Sequence, residues 1–147
     1  KRLIFSGRAS HSEYLSRYLL ADLFLDTLPF NAGTTASDAL WMGLPLITQT
    51  GKSFAGRMAT SILRAINLPE LITNTNDEYE RLAINLASDT TLVTNLKRKL
   101  EVNHSISPLF KSSSYTSNLE VAYAQMYDKY QRGLMPQDIY VADIKNH

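Results

Sequence analysis

Two threonines and an aspartate follow a glycine in the stretch AGTTASD, as Gly33, Thr34, Thr35 and Asp38. In the first turn of a helix, threonines offer hydroxyl and backbone N–H groups beside the positive end of the helix dipole, which suits phosphate oxygens. Asp38 would lie on the same helix face as Thr34, about 6 Å further along the axis. An ionised carboxylate accepts hydrogen bonds from a ribose diol. The pattern therefore fits a sugar beside a phosphate, although an ordinary helix start has the same residues.

A second group of candidate residues lies near the start of the chain. Ala9 can present backbone to a base edge, and His11 can meet a phosphate or a base. Tyr14 has a flat ring for stacking, and Arg17 can donate to carbonyl oxygens. Each residue alone is more typical of a solvated or half-buried side chain. Their significance depends on whether the fold brings them beside the threonine turn.

The elements that must position these residues alternate between strand and helix up to about residue 89. Short apolar runs such as DLFLD are typical of buried parallel strands, and Ser10 with Glu13 forms a capping-box pattern that predicts a helix start. The alternation predicts a parallel sheet whose ligand lies outside the carboxyl ends of the strands. The predicted strands are 2–6, 22–26, 45–50 and 70–73, and the predicted helices begin near Ser10, Thr35, Ser53, Asn76 or Asp77, Thr90 and Ser114.

Composition excludes several classes of function. The 147 residues have a formal charge of +1, which gives no electrostatic case for nucleic acid or an anionic membrane. No cysteine is present, and the three histidines are far apart, so neither a metal site nor a cofactor is expected. The lack of cysteine also favours a cytoplasmic location.

Asp22 and Asp26 leave an alternative open, because they flank a predicted strand as the phospho-acceptor aspartate of a receiver domain does. A magnesium-binding acidic pair would be needed beside such an acceptor, and none accompanies them in this order. We therefore rank this interpretation below nucleotide binding.

Three long stretches carry a resemblance to a known family. They are ADLFLDTLPFNAGTTASDALWMGLPLITQTGKSFAGRMATSIL, LPELITNTNDEYERLAINLASD and ISPLFKSSSYTSNLEVAYAQMYDKY, which occur in this order within residues 2–131. Together they resemble the C-terminal catalytic region of O-linked N-acetylglucosamine (O-GlcNAc) transferases and their bacterial tetratricopeptide-repeat (TPR) relatives. The resemblance implies an α/β fold: a Rossmann-like parallel sheet with flanking helices, forming the C-terminal donor-binding lobe of a GT-B glycosyltransferase and ending in two or more helices.

The resemblance also assigns roles to the candidate residues. It places the pyrophosphate of a uridine diphosphate (UDP) sugar on Thr34 and Thr35, the ribose on Asp38, and the uracil on Ala9, Tyr14 and Arg17. Compared with the animal enzymes, this chain has Gly33 and Tyr14 in place of histidines and His11 in place of a lysine. A tyrosine can still stack on uracil, but the missing lysine removes charge near the diphosphate.

From this resemblance we expect an inverting glycosyltransferase that transfers a sugar, with UDP-GlcNAc as the expected donor, to Ser or Thr of an acceptor protein. Residues 1–133 are predicted to be part of the donor-binding lobe, and 134–147 a C-terminal extension. The facing lobe, the repeats and a catalytic base are expected to lie outside these residues, so the chain alone should be inactive and should self-associate through an open sheet edge. The alternatives are a non-catalytic scaffold lobe attached to TPR repeats and an isolated nucleotide sensor.

Overall fold

A parallel three-stranded sheet is the centre of the computed structural model, which describes residues 2–142. Its strands are β1 (Phe24–Leu25), β2 (Leu46–Gln49) and β3 (Ile72–Thr73), in the spatial order β1-β2-β3. Phe24 pairs with Leu46 and Thr48 pairs with Ile72, both in parallel register. The strands are shorter than predicted, but the predicted parallel α/β architecture is confirmed.

Six α-helices occur in the described part of the chain. They are α1 (His11–Arg17), α2 (Thr34–Trp41), α3 (Met58–Ala65), α4 (Asn76–Ser88), α5 (Thr90–Ile106) and α6 (Ser112–Gln131). Short 3-10 turns cover Tyr18–Leu20, Ala55–Arg57, Pro69–Leu71 and Pro108–Phe110. Two long helices, α5 and α6, therefore end the regular structure of the described residues, as predicted.

Local side chains decide where several helices begin and end. The capping box of α1 is confirmed, because Ser10 Oγ accepts from the N–H of Glu13 and Glu13 Oε2 accepts from the N–H of Ser10 at 3.0 Å. Helix α4 begins at Asn76, one of the two predicted starts, and its N-cap Thr75 accepts from the N–H of Glu78 at 3.2 Å. Helix α2 stops before Gly43, whose φ of 79° is readily adopted only by glycine.

Strand β2 lies at the centre of the core. Leu46 and Ile47 are completely buried, and helices α2, α3 and α4 all contact this strand. Helix α2 contributes Leu40 and two alanines to the same core, which lets it approach the sheet closely. Burial of each leucine stabilises the fold by about 1.5–3 kcal/mol. This packing fixes α2, and hence its N-terminus, against the sheet.

The strand predicted at 2–6 is not observed. These residues have no regular secondary structure, and Leu3, Ile4 and Phe5 are 74%, 91% and 92% exposed. The sequence pattern is strand-like, but a strand also needs a neighbour for its N–H and C=O groups. Within residues 2–142 β1 pairs only with β2, so no ladder reaches this segment.

The chain divides into two compact units, with the boundary between Ser107 and Pro108. Helix α6 is the main element of the second unit, and residues 134–142 follow it without regular secondary structure. The rest of the predicted extension, 143–147, lies outside the described residues. No helix within residues 2–142 has the length and apolar character needed to cross a membrane.

Candidate functional site

The turn between β1 and α2 presents an uncapped helix N-terminus. Gly33 is the N-cap residue of α2 and offers no side chain to its N–H groups. Thr34 and Thr35 are the first two helical residues and are exposed, while Asp38 is half-buried one turn later. The first N–H groups of a helix have no partner within the helix and are free to bind an anion. The residues predicted to bind phosphate and ribose therefore lie on one short helix.

Gly33 is not required by backbone strain. Its φ of −108° is open to other residues, and an added Cβ would meet Met58 Cγ at an ordinary contact distance of 3.4 Å. The functional consequence of the glycine is the missing cap rather than a left-handed turn.

Helix α5 shows what a capped Thr-Thr start looks like in the same chain. It also begins with two threonines, Thr90 and Thr91, but Asp89 precedes them. One carboxylate oxygen of Asp89 accepts from the N–H of Thr91 at 2.9 Å and from the N–H of Leu92 at 3.2 Å. An anion at α5 would compete with this carboxylate. The N-terminus of α2 has no such competitor among the described residues.

Asp26 anchors the loop that leads to α2. The residue is 7% exposed, and its two carboxylate oxygens accept from the N–H of Ala32 at 2.7 Å and from the hydroxyl of Thr48 at 2.6 Å. Ala32 is the residue before the N-cap, so this contact sets where α2 begins. Asp26 thus has a structural role that the sequence did not reveal. This burial is contrary to the phospho-acceptor alternative, which needs an accessible carboxylate.

The residues of the first loop and helix are partly engaged with one another. Arg17 Nη1 donates to the carbonyl oxygen of Gly7 at 2.8 Å, which orders the loop that carries Ala9. The ring of His11 is stacked on that of Tyr14 at a centroid distance of 6.3 Å. His11 and Arg17 are exposed, while Ala9 and Tyr14 are half-buried. Arg17 therefore shapes the loop in this structure, with its side chain still open to solvent.

Tyr18 connects the two predicted groups, although it is not among the residues predicted from the sequence. Its hydroxyl donates to the carbonyl oxygen of Thr35 at 3.3 Å and is also hydrogen-bonded to the hydroxyl of Tyr14. Burial raises the pKa of Tyr18, with a further contribution from the negative charge of Asp38. The spacing of Tyr14 and Tyr18, one helical turn apart, was the available signal in the sequence.

The structure thus brings α1 beside the N-terminus of α2. Tyr14, Thr35 and Asp38 all interact with Tyr18, whereas Ala9, His11 and Arg17 contact α2 through no described hydrogen bond. Among residues 2–142 no cluster of three or more acidic or histidine side chains could hold a metal ion. The arrangement offers N–H groups, hydroxyls, a carboxylate and aromatic faces, which together can bind an anion joined to a sugar and a flat base.

Comparisons with known proteins identify relatives of this chain. The chain is 38% identical over 137 residues to a UDP-N-acetylglucosamine--peptide N-acetylglucosaminyltransferase of Caenorhabditis elegans, covering 93% of this chain and 12% of that protein. It is 37% identical over 124 residues to a probable enzyme of the same name, SPINDLY, of Petunia hybrida, covering 84% of this chain and 13% of that protein.

A solved structure, a mutant O-GlcNAc transferase of Thermobaculum terrenum, matches with a TM-score of 0.79 and 35% identity. The match covers 85% of this chain and 24% of that one. The chain therefore spans about an eighth of the length of the curated relatives and about a quarter of the solved one. The likeness confirms the predicted Rossmann-like architecture of a GT-B enzyme.

The family model of glycosyl transferase family 41 matches residues 1–119, which is most of the chain. The resemblance found in the sequence, the parallel α/β fold and the family match agree. This chain belongs to glycosyl transferase family 41.

Proposed function

We propose that this chain holds the UDP part of a nucleotide-sugar donor, with the diphosphate at the N-terminus of α2. The single observation that supports this most strongly is the uncapped Thr34–Thr35 helix start, exposed and joined to α1 through Tyr18. Its contrast with the capped threonines of α5 argues against an ordinary helix start.

Each predicted residue has a role in this proposal. Thr34 and Thr35 donate to the diphosphate, and Asp38 accepts from the ribose hydroxyls. Tyr14 and His11 offer stacked aromatic faces for uracil. Ala9 lies on the loop that Arg17 orders, where its backbone can meet the edge of the base.

The names of the relatives extend the proposal to a reaction. We infer that the complete protein transfers N-acetylglucosamine from UDP-GlcNAc to Ser or Thr of an acceptor protein, with inversion at the sugar. The contribution of this chain is to bind the leaving diphosphate, whose growing negative charge the N–H groups of α2 stabilise. We assign no catalytic base within it. Residues 1–133 are then part of the donor-binding lobe, and 134–147 are an extension.

UDP titration and measurement of kcat/KM, on the full-length protein and its Thr35→Ala and Asp38→Ala variants, test this proposal. The fall in kcat/KM for each variant should correspond to a loss of roughly 1.5–3 kcal/mol of transition-state stabilisation, the scale of a charge-assisted hydrogen bond. Thr91→Ala is the matched control, because Thr91 occupies the same helical position in α5 as Thr35 does in α2. Its effect on UDP affinity should be negligible.

Two outcomes would overturn the assignment. If the unmutated protein binds no UDP, the lobe is better explained as a non-catalytic scaffold. If Thr35→Ala lowers the melting temperature but leaves kcat/KM unchanged, Thr35 is an ordinary helix residue.

The chain alone should transfer no sugar to a peptide acceptor, and transfer above background would show that the catalytic groups lie within it.

We also propose that the isolated chain self-associates. Leu25 in β1 is 56% exposed and Leu20 nearby is 87% exposed, which leaves an apolar sheet edge open to a second copy. Light scattering on the purified chain tests this, and a monodisperse monomer would contradict it.

A cytoplasmic location is proposed because the chain has no cysteine. Cell fractionation that placed the protein outside the cytoplasm would contradict that proposal.

A further inference from the structure

We propose that Tyr18 is a positioning residue of the donor site, because its hydroxyl couples the base-facing helix α1 to the phosphate-facing N-terminus of α2. This inference rests on the proposed binding of UDP. Tyr18 is in the 3-10 turn directly after α1, and Thr35 lies 17 residues later in the chain, in the first turn of α2. The hydrogen bond from Tyr18 to Thr35 thus joins the turn after α1 to the first turn of α2.

The protons of the two tyrosines can be assigned from the geometry. A backbone carbonyl oxygen only accepts hydrogen bonds, so the single hydroxyl proton of Tyr18 is used on Thr35. In the Tyr14–Tyr18 pair the donor must then be Tyr14. Tyr14 therefore has no hydroxyl proton left for a ligand. Toward a bound base it offers its ring face and an oxygen that accepts, for example from an N–H of the base.

Ring contacts hold Tyr18 in place for this role. Its ring lies edge-on to that of Tyr14 at 5.2 Å and tilted against that of Phe24 at 6.3 Å. Phe24 belongs to β1, so the aromatic series runs from His11 at the start of α1 down to the sheet. The hydroxyl is thereby presented to Thr35 by a fixed ring, which lowers the entropy cost of the bond.

Coupling of this kind affects ligands differently according to their length. UDP would contact α1 through its base and α2 through its diphosphate, so its affinity depends on the distance between the two elements. Inorganic pyrophosphate would contact α2 alone. Removal of the link should therefore weaken UDP selectively, because only UDP must bring both elements into register at once.

Tyr18→Phe in the full-length protein tests this proposal, since it removes the hydroxyl and keeps the ring. By calorimetry we expect UDP affinity to fall about 3- to 10-fold, the scale of one net hydrogen bond, and pyrophosphate affinity to change less than about 2-fold. Tyr79→Phe is the control. It removes a similar bond, from Tyr79 to the carbonyl oxygen of Asp26 at 2.7 Å, without touching α1. Its ratio of UDP to pyrophosphate affinity should equal that of the unmutated protein.

A second measurement needs no substitution. In the unmutated protein, pyrophosphate bound at α2 should also slow amide hydrogen exchange in α1, because Tyr18 links the two. Protection confined to α2, or a Tyr18→Phe protein with the original affinity ratio, overturns the positioning role while UDP binding stands. Failure of the unmutated protein to bind UDP overturns the proposed function itself, and this inference with it.

Discussion

Replacement of Asp26 by asparagine tests the anchor beneath the site. The carboxylate accepts two hydrogen bonds, from the N–H of Ala32 and the hydroxyl of Thr48, and is almost completely buried. Asparagine has nearly the same shape, but one of its two acceptor positions becomes an N–H₂ donor and the charge is lost. The Thr48 hydroxyl can rotate to accept, so both contacts survive as neutral hydrogen bonds. The perturbation therefore isolates the contribution of the charge.

The expected loss can be worked out from these two contacts. A hydrogen bond to a charged group contributes about 1.5–3 kcal/mol and a neutral one about 0.5–1.5 kcal/mol, a difference of roughly 1–1.5 kcal/mol per bond. Burial of the neutral amide costs less free energy than burial of the carboxylate, and this difference offsets part of the loss of stability. We expect Asp26→Asn to lower the free energy of unfolding by about 2 kcal/mol, or the melting temperature by roughly 8 °C.

Urea unfolding of the chain, followed by the fluorescence of Trp41, measures this change. Trp41 is the single tryptophan of the chain and lies at the end of α2, so it reports on the helix that the Asp26 loop positions. Asp22→Asn is the matched control, because Asp22 is exposed and pairs with Lys97 at 3.0 Å. Asp22→Asn should lower the free energy of unfolding by less than about 1 kcal/mol. Equal losses for the two variants would refute the anchoring role of Asp26.

Two further predictions concern the helix ends. Hydrogen bonds from the backbone and hydroxyl of Ser10 lower the pKa of Glu13. The α1 cap therefore stabilises the fold at pH values above the unfolded pKa of about 4.3, and this stabilisation is lost as the pH falls through the lower folded pKa. An NMR titration of the Glu13 carboxyl should show this, and a Ser10→Ala variant with an equally low pKa would contradict it. Asn103→Ala should destabilise the fold by about 2 kcal/mol in urea unfolding, because the buried amide donates to the carbonyl oxygens of Ile66 and Asn67 at 2.9 and 3.1 Å. Exposed Asn95→Ala should cost nearly nothing, and similar losses at both positions would argue against this role for Asn103.

The sequence by itself determined the features that depend on near neighbours. The alternation of short apolar runs with amphipathic segments was enough to predict a parallel α/β fold, because each pattern is complete within one element. The capping box of Ser10 and Glu13 and the stop at Gly43 were likewise readable, since their partners lie within a few residues. The stretch AGTTASD identified the candidate turn for the same reason, and its binding role stays a prediction.

The tertiary structure decided the features whose partners are distant in the chain. The strand-like pattern at 2–6 has no neighbouring strand within the described residues, which no local pattern could reveal. Asp26 became an anchor because the fold brings Thr48, 22 residues away, against its carboxylate. Tyr18 became the link between α1 and α2 because β1 and its loop return the chain to Thr35. Hydrogen bonds at such separations depend on the sheet register, and that register forms only when the whole core packs.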